Sequence, residues 1–282
     1  DKTTVDHSRN LGLLGGIGRF VQPGQRVLLK PNMLADKPPE KAVTTHPSVV
    51  GAMARLVRDA GALAWVGDSP GGVTWNVTAK TLEATGIGQA ARDAGAELRD
   101  FDGEERELVD FPGGAILKQF AVARAAREAD AIFSLAKFKT HSLTLYTGAV
   151  KNMFGCVPGG GKLRVHQLAS TPRELATALA DIYANLRPRF ALVDGILAME
   201  GNGPAHGDPR PLGLLIASAD AVAADAVACR IAGYPARALH LLREAEERGL
   251  GVADLRKIEV VGEPLESCRV PDIARASTLL VE

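Results

Sequence analysis

The sequence predicts an α/β fold in which a mostly parallel sheet is flanked by helices. Short apolar runs alternate with stretches whose apolar residues recur at helical spacing, and Gly or Pro residues separate them. A strand, a helix and a second strand in this order form a βαβ unit, which joins parallel strands. With 282 residues, of which 46% are hydrophobic, the chain can bury a large core. We expect a single α/β domain over residues 1–282 or, as an alternative, two closely packed lobes at 20–185 and 186–265.

The first βαβ unit is predicted between residues 26 and 66. Residues 26–30 form an apolar run that follows Pro-Gly and stops at Pro31, which is typical of a buried strand. A helix is expected from Pro47 to about Gly61, because proline favours the first helical turn and glycine favours the end. The second strand then runs to about Val66.

The same alternation continues to the end of the chain. Residues 102–120 mix charges, glycines and apolar runs, which suggests an antiparallel excursion. The remaining strands are predicted at 96–101, 131–136, 190–196, 211–218 and 255–262. The remaining helices are predicted within 78–94, 143–155, 172–186, 220–233 and 239–251, with a glycine-rich loop at 156–167.

Charge and hydropathy argue against two classes of partner. Lys plus Arg and Asp plus Glu both total 33, so we expect no basic stripe for nucleic acid. The sequence has no apolar run of about 18 residues, so we expect no membrane span. The first residues lack a signal-peptide pattern, which makes the cytoplasm the expected location, and the absence of an initial Met leaves room for upstream residues.

The cysteines argue against one class of cofactor. Cys156, Cys229 and Cys268 are widely spaced and form neither a zinc nor an iron–sulfur ligand pattern. We therefore expect no iron–sulfur cluster in this chain.

Polar residues cluster where the predicted strands end. Ligands of open α/β sheets bind outside the carboxyl ends of the strands, so we expect these residues to lie close to one ligand-binding position. We expect them to form one site for a small anionic molecule, with Asp68 orienting a group opposite the histidine of the densest stretch. The substrate-binding residues predicted on this basis are Lys30, Asn32, His46, Lys137, Lys139, Thr140, Asn152 and Glu200.

The densest polar stretch runs from residue 137 to residue 166. His141 titrates near neutral pH, and a desolvated Lys151 can act as a base or nucleophile, so we name both as catalytic candidates with Asp68. Proton transfer, metal binding and covalent cofactor attachment all remain open for this set. Residues 157–166 also resemble a phosphate cradle with Lys162, a mobile lid being the alternative.

Two aspartates outside this stretch have predicted structural roles. Asp220 precedes an alanine-rich helix and is expected to cap it. Asp225 lies inside that helix, and burial there requires a hydrogen-bonding partner.

Six strings between about residues 26 and 235 occur in a specific combination. They are LLKPNML, TTHPSVVGAMARLVRDAGA, VGDSPGG, AKFKTHSLTLYTGAVKNMFG, VDGILAMEGNGPAHGDP and SADAVAADAVA. On these strings the chain is identified as a member of the domain-of-unknown-function family 362. Many members of that family carry an added ferredoxin-like module with clustered cysteines, which this chain lacks.

The string THSLTLYTGAVK is also similar to a segment of the nickel-pincer lactate racemase family. That resemblance implies that His141 moves a proton, that Lys151 holds a cofactor covalently and that His166 binds metal. The racemase pattern has Gly-Thr-His-Arg where this chain has residues 67–70 as Gly-Asp-Ser-Pro, and it has Asp-x-Thr-Arg near residues 30–32. These departures favour a shared architecture with different chemistry.

Two functions are therefore predicted. The first is an enzyme or binding protein for a small anionic molecule with a Lys/His pocket, for which a metal or nucleotide-type cofactor stays open. The alternative is a redox accessory protein that docks a ferredoxin-like partner and has no catalysis of its own.

Overall fold

A computed structural model describes residues 11–71 and 77–277 of the chain. It contains a seven-stranded sheet flanked by helices, which confirms the predicted α/β class. Residues 1–10, 72–76 and 278–282 of the expected single domain lie outside the described residues. The domain boundaries, including the alternative of two lobes, stay a prediction.

The large sheet is parallel apart from the edge strand β9 and the short strand β7. Its order is β3-β2-β1-β6-β8-β9, with β9 antiparallel to β8 and the short β7 paired to β6. The strands are β1 Arg26–Pro31, β2 Leu63–Asp68, β3 Glu97–Asp100, β6 Ala131–His141, β7 Leu145–Tyr146, β8 Phe190–Glu200 and β9 Asp208–Ser218. A separate antiparallel hairpin of β4 Arg106–Asp110 and β5 Gln119–Ala123 occupies the predicted excursion.

Besides the helical residues 11–13, nine α-helices lie within the described ranges. They are α1 Pro47–Asp59, α2 Thr78–Ala84, α3 Ile87–Asp93, α4 Arg124–Glu128, α5 Ala149–Asn152, α6 Gly160–Leu168, α7 Pro172–Leu186, α8 Ala221–Ile231 and α9 His240–Glu247. The longest of them, α7, begins with a reciprocal cap in which Thr171 accepts from the Glu174 amide and Glu174 accepts from the Thr171 amide. Asp220 caps α8 as predicted by accepting from the amides of Val222 and Ala223.

Alternation along the strands divides the core between two sheet faces. On the α7 face, Leu28 of β1 and Ala136 of β6 belong to one hydrophobic cluster with residues of α5, α7 and α8. On the α1 face, Leu29 and Leu135 belong to a second cluster with residues of α1 and α3. Because successive side chains of a strand point to opposite faces, one strand can supply polar groups to two separate environments.

The predicted helix over residues 143–155 is wrong in its first half. Residues 145–146 pair with β6, and the helix α5 starts only at Ala149, followed by a 3₁₀ turn at Met153–Cys156. Gly148 has a φ of 113°, a left-handed backbone that glycine tolerates and that separates the two elements. Asp225 of α8 accepts from the amides of Ala149 and Val150, which gives it the predicted buried partners.

Two other predicted elements differ from the structure. The glycine-rich loop at 156–167 is helical from Gly160 onward as α6. Residues 255–262 form no strand, because residues 255–257 make a 3₁₀ turn and residues 258–262 are separated from β9 by an apolar groove.

Candidate functional site

A cavity of about 290 Å³ lies at the carboxyl ends of β1, β2 and β6. The segment from Thr147 to Gly155 and the helix α6 form its other walls. The predicted site residues that line it are Lys30, Asn32, Asp68, His141, Lys151, Asn152 and His166. The structure thus brings these residues together at one cavity, and their roles stay predictions.

Lys30 lines the cavity, and three oxygen atoms lie within 3.0 Å of its ammonium nitrogen. Its Nζ is 2.7 Å from Asp68 Oδ1, 3.0 Å from Asn152 Oδ1 and 2.8 Å from the Pro31 carbonyl oxygen. Asp68 Oδ2 also accepts from the Met33 amide at 2.8 Å. The Asp68 carboxylate therefore balances the charge of Lys30 and ties β1 to β2.

Gly155 makes this packing feasible. A Cβ at position 155 would collide with the Asp68 carboxylate and with the Lys30 side chain. The backbone after α5 can approach the ion pair only because residue 155 has no side chain. Any substitution of Gly155 would have to push the pair apart.

Lys162 is hydrogen-bonded within the protein, which the phosphate-cradle hypothesis did not predict. Its Nζ donates to the carbonyl oxygens of Ser69 and Pro70 at 2.7 and 2.6 Å and to Ser69 Oγ at 2.7 Å. Ser69 Oγ in turn donates to Asp102 at 2.7 Å. Lys162 thus fastens α6 to the loop after β2 and has no free hydrogen for a phosphate.

Lys151 differs from both of these lysines. Among the residues that the structure describes, no side chain or carbonyl accepts a hydrogen bond from its ammonium group, and no carboxylate pairs with it. Burial lowers the pKa of Lys151 to about 8, and the nearby charges of Lys30 and Lys162 act in the same direction. The cavity therefore contains one amine that the protein leaves without a partner.

His141 is held as a neutral hydrogen-bond donor. Its Nδ1 accepts from the amides of Leu143 and Thr144 at 3.1 and 3.3 Å, which assigns the ring proton to Nε2. Burial lowers the pKa of His141 to about 2, with contributions from the charges of Lys151 and Lys139. A base at Nε2 is incompatible with this tautomer, so the predicted acid–base candidate is better suited to donate a hydrogen bond.

His166 stands on α6 beside an aromatic ring. It contacts Phe154 edge to face, with ring centroids 5.7 Å apart and planes inclined by 72°. Partial burial and the charge of Lys151 lower its pKa. In residues 11–71 and 77–277, no three His, Cys, Asp or Glu side chains are grouped so as to hold a metal ion. The metal role of His166 stays a prediction.

Besides Asp68 Oδ1, which is paired with the Lys30 ammonium group, two polar atoms in the cavity wall have no partner among residues 11–71 and 77–277. Thr147 Oγ1 and Asn32 Oδ1 are both buried without a hydrogen bond, and both residues line the cavity. Buried polar atoms are rarely left unsatisfied, so a ligand is a natural partner for them.

Three of the predicted binding residues lie on the α1 face instead. Lys137 Nζ is 2.8 Å from Asp194 Oδ2 with both side chains fully buried, and the His46 amide donates to the same oxygen. Lys139 Nζ donates to the Val43 carbonyl oxygen at 2.7 Å, and burial lowers its pKa well below the usual value. None of the three lines the cavity, because Lys137 and Lys139 are bonded to Asp194 and to the Val43 carbonyl oxygen on the α1 face and His46 caps the start of α1.

Thr140 and Glu200 are also outside the cavity. Thr140 Oγ1 donates to the Gly201 carbonyl oxygen at 2.9 Å. Glu200 accepts from Arg210 at 3.5 Å and from the Ala274 amide at 3.0 Å. Both residues stabilise the end of β8 and the chain that follows it.

A larger groove of about 570 Å³ lies elsewhere, between β9 and residues 258–263. Its walls are mostly leucine, isoleucine, valine and alanine side chains, with no lysine or histidine. The smaller cavity is the better candidate site because lysine, histidine and hydroxyl groups converge on it.

Residues 27–230 match the family described as Domain of unknown function (DUF362). The chain belongs to this family. A thylakoid-associated protein of Synechocystis sp. is 36% identical to this DUF362 chain over 244 residues, which are 84% of the chain and 72% of the relative. No helix in the described ranges has the length and apolar character needed to cross a bilayer. The cytoplasmic location stays a prediction.

A solved structure shares the architecture of this DUF362 chain. The lactate racemase apoprotein from Thermoanaerobacterium thermosaccharolyticum superposes with a TM-score of 0.51 at 12% identity. The match covers 78% of the DUF362 chain and 51% of the racemase chain, so the present chain spans about half of the racemase's length. At this identity the likeness shows a common fold.

Sequence reasoning missed several residues of the DUF362 cavity. Thr147 and Gly155 lay inside a stretch that we predicted as one helix, and Ser69 was hidden in a turn. A signal was available at Gly148, since a glycine directly before the short α5 suggests a break in the helix.

Proposed function

We propose that this DUF362 chain binds a small carboxylate- or phosphate-bearing molecule in the Lys151 cavity. The observation that carries the proposal is the ammonium group of Lys151, which lines the cavity and has no partner in the described part of the chain. Lys151 is half-buried, and even partial removal of an unpaired cation from water is unfavourable, so an anionic ligand would remove that cost.

The charge balance of the wall supports an anion. Lys30, Lys151 and Lys162 line the cavity, whereas Asp68 is the one carboxylate among the lining residues that the structure describes. Because Asp68 is paired with Lys30, the wall has an excess of positive charge in a low-dielectric setting.

The neutral donors in the wall would orient the ligand. His141 presents an N–H at Nε2, and Thr147 presents a hydroxyl group without a partner. An anion that meets Lys151, His141 and Thr147 together would be bound by one charge and two hydrogen bonds.

The geometry favours a small ligand over a docked protein. A ferredoxin-like partner, the alternative from the sequence, needs an exposed basic surface, whereas Lys30 and Lys162 are buried. The racemase cofactor is also not supported residue by residue, because Ser69, at the histidine position of the Gly-Thr-His-Arg pattern, is bonded to Asp102 and Lys162. We derive no step through that cofactor.

Ligand titration tests the proposal. The name of the structural neighbour makes lactate the first probe, with inorganic phosphate as the second. Calorimetry should show saturable binding of at least one of them to the wild-type chain. Lys151→Met should weaken that binding by about tenfold or more, since a charged hydrogen bond is worth roughly 1.5–3 kcal/mol.

The matched control is Lys257→Met. Lys257 is exposed and far from the cavity lining, so its loss should leave binding unchanged. Equal affinity of the Lys151→Met and Lys257→Met proteins would refute the proposed site.

A further inference from the structure

We propose that Lys151 forms a Schiff base with the carbonyl group of its ligand, which makes a small 2-oxo acid the substrate class of the cavity. This inference rests on the anion site proposed above and adds a covalent step to it. The carboxylate of such a molecule satisfies the positive wall, and its carbonyl carbon is the electrophile that an amine requires.

The hydrogen bonds of the three cavity lysines single out Lys151. Lys30 and Lys162 each have three oxygen contacts within the protein, so their amines cannot reach a ligand without breaking those contacts. Lys151 has no such contact in the described ranges and lines the cavity directly. Only this amine can approach a carbonyl carbon at no cost in internal hydrogen bonds.

The surroundings of Lys151 also favour the nucleophilic form of the amine. Lys30 and Lys162 raise the cost of a third charge, and burial lowers the pKa of Lys151 to about 8. A lysine that is desolvated and lies beside other cations is a known way to make an amine nucleophilic near neutral pH. Relative to the usual value of 10.5, the fraction of neutral amine at pH 7 rises by roughly two orders of magnitude.

The reaction balances without an oxidant or a metal. The neutral Lys151 amine adds to the carbonyl carbon, which forms the C–N bond and moves the carbonyl electron pair onto oxygen. The two amine hydrogens leave with that oxygen as water, and a C=N bond remains. His141, as an N–H donor at Nε2, stabilises the developing negative charge on oxygen.

The neighbouring hydroxyl completes the arrangement. Thr147 Oγ1 is buried without a partner in the cavity wall, where it can bond to the carboxylate or to the departing oxygen. A neutral ketone lacks the carboxylate and should react much less.

Reductive trapping tests the inference. Wild-type protein is incubated at pH 7 with pyruvate and cyanoborohydride, and the modified lysines are located by peptide mass spectrometry. Lys151 should be labelled about tenfold or more faster than exposed lysines such as Lys257, because its neutral fraction is larger. Acetone should label it less than pyruvate, and lactate should compete with pyruvate without forming an adduct.

The control variant is Lys151→Arg, which keeps the positive charge but cannot form a Schiff base. It should bind lactate and show no adduct at residue 151, with labelling elsewhere unchanged. Saturable lactate binding together with labelling spread evenly over the surface lysines would overturn the Schiff base and leave the anion site standing. No saturable binding of pyruvate, lactate or phosphate would overturn both.

Discussion

The cavity and the buried lysine cluster on the α1 face use the same residue type in opposite ways. On the α1 face, Lys137 is neutralised by Asp194 and Lys139 donates to a carbonyl oxygen. In the cavity, Lys30 and Lys162 are satisfied in a similar manner, but Lys151 is not. The comparison indicates that the lysine of the proposed site differs from the other buried lysines by the partner it lacks and by its position in the cavity wall, since a dense sequence neighbourhood is common to both regions.

The largest expected effect comes from breaking the Lys137–Asp194 ion pair of the buried lysine cluster. Asp194→Ala leaves Lys137 buried without a counter-charge and removes the acceptor of the His46 amide, so the free energy of unfolding should fall by about 3–5 kcal/mol. Lys151→Met removes an ammonium group with no partner, and it should change stability by less than about 1 kcal/mol. Urea unfolding of both variants measures the contrast.

Asp59→Ala is the control for the loss of an exposed aspartate from α1. It should be close to neutral in stability. If Asp194→Ala were no more destabilising than Lys151→Met, the supposed difference between the two regions would disappear.

The second effect concerns pH and sharpens the role of Lys151. The protonated amine attracts the anion, so lactate affinity should be constant below the pKa of Lys151, about 8, and fall as pH rises above it. The expected slope is about tenfold per pH unit until the pKa of the bound state is reached, because the anion raises the pKa of Lys151 in the complex. Calorimetric titrations between pH 6 and pH 10 would measure the curve.

Lys151→Arg should still bind lactate, but its affinity should no longer fall as the pH rises above about 8. The pKa of Lys162 also lies at about 8, so the variant separates the two lysines. If the affinity of Lys151→Arg fell with pH as it does in the wild-type protein, the titrating group would be Lys162, and the role given to Lys151 would be contradicted.

The third effect tests Asp68. We predicted it as a catalytic residue, whereas the structure places it in an ion pair with Lys30. Asp68→Asn keeps an acceptor for the Met33 amide and removes one negative charge from the wall. Anion affinity should rise by roughly fivefold, on the order of 1 kcal/mol at an effective dielectric near 20.

Stability should fall in the same variant, because Lys30 loses its counter-charge. Calorimetry and urea unfolding therefore give opposite signs for one substitution. A loss of binding in Asp68→Asn would mean that the carboxylate contacts the ligand itself, as the sequence suggested.

The sequence predicted the main parallel strands and the sheet edge at which the cavity lies. The apolar run before Pro31 and the run before Asp68 both end at the edge where the cavity lies, and strand ends of a parallel sheet are a general ligand address. His141 and Lys151 were found because histidine and lysine interrupt an apolar pattern.

The sequence did not show which polar residues of β6 lie on each face of the sheet. We ended the predicted strand at Ala136, but the strand continues to His141. Alternation from Ser134, which shares the face of Asn152, places Lys137 on the opposite face. The partner Asp194 comes from a strand that is distant in sequence, so pairing of this kind depends on tertiary register.

The smallest effect concerns Thr147, which sequence reasoning missed. Thr147→Val replaces a hydroxyl group that has no protein partner with a methyl group of similar size, so stability should be unchanged or slightly higher. Ligand affinity should fall by about three- to tenfold, since one neutral hydrogen bond contributes roughly 0.5–1.5 kcal/mol. The control is Thr85→Val, because Thr85 is equally buried but donates to the Thr81 carbonyl oxygen. That control should lose stability and keep its affinity. The reverse result, with Thr147→Val destabilised and binding intact, would show that Thr147 belongs to the fold, and the distinction between saturated and open polar groups would then rest on Lys151 and Asn32.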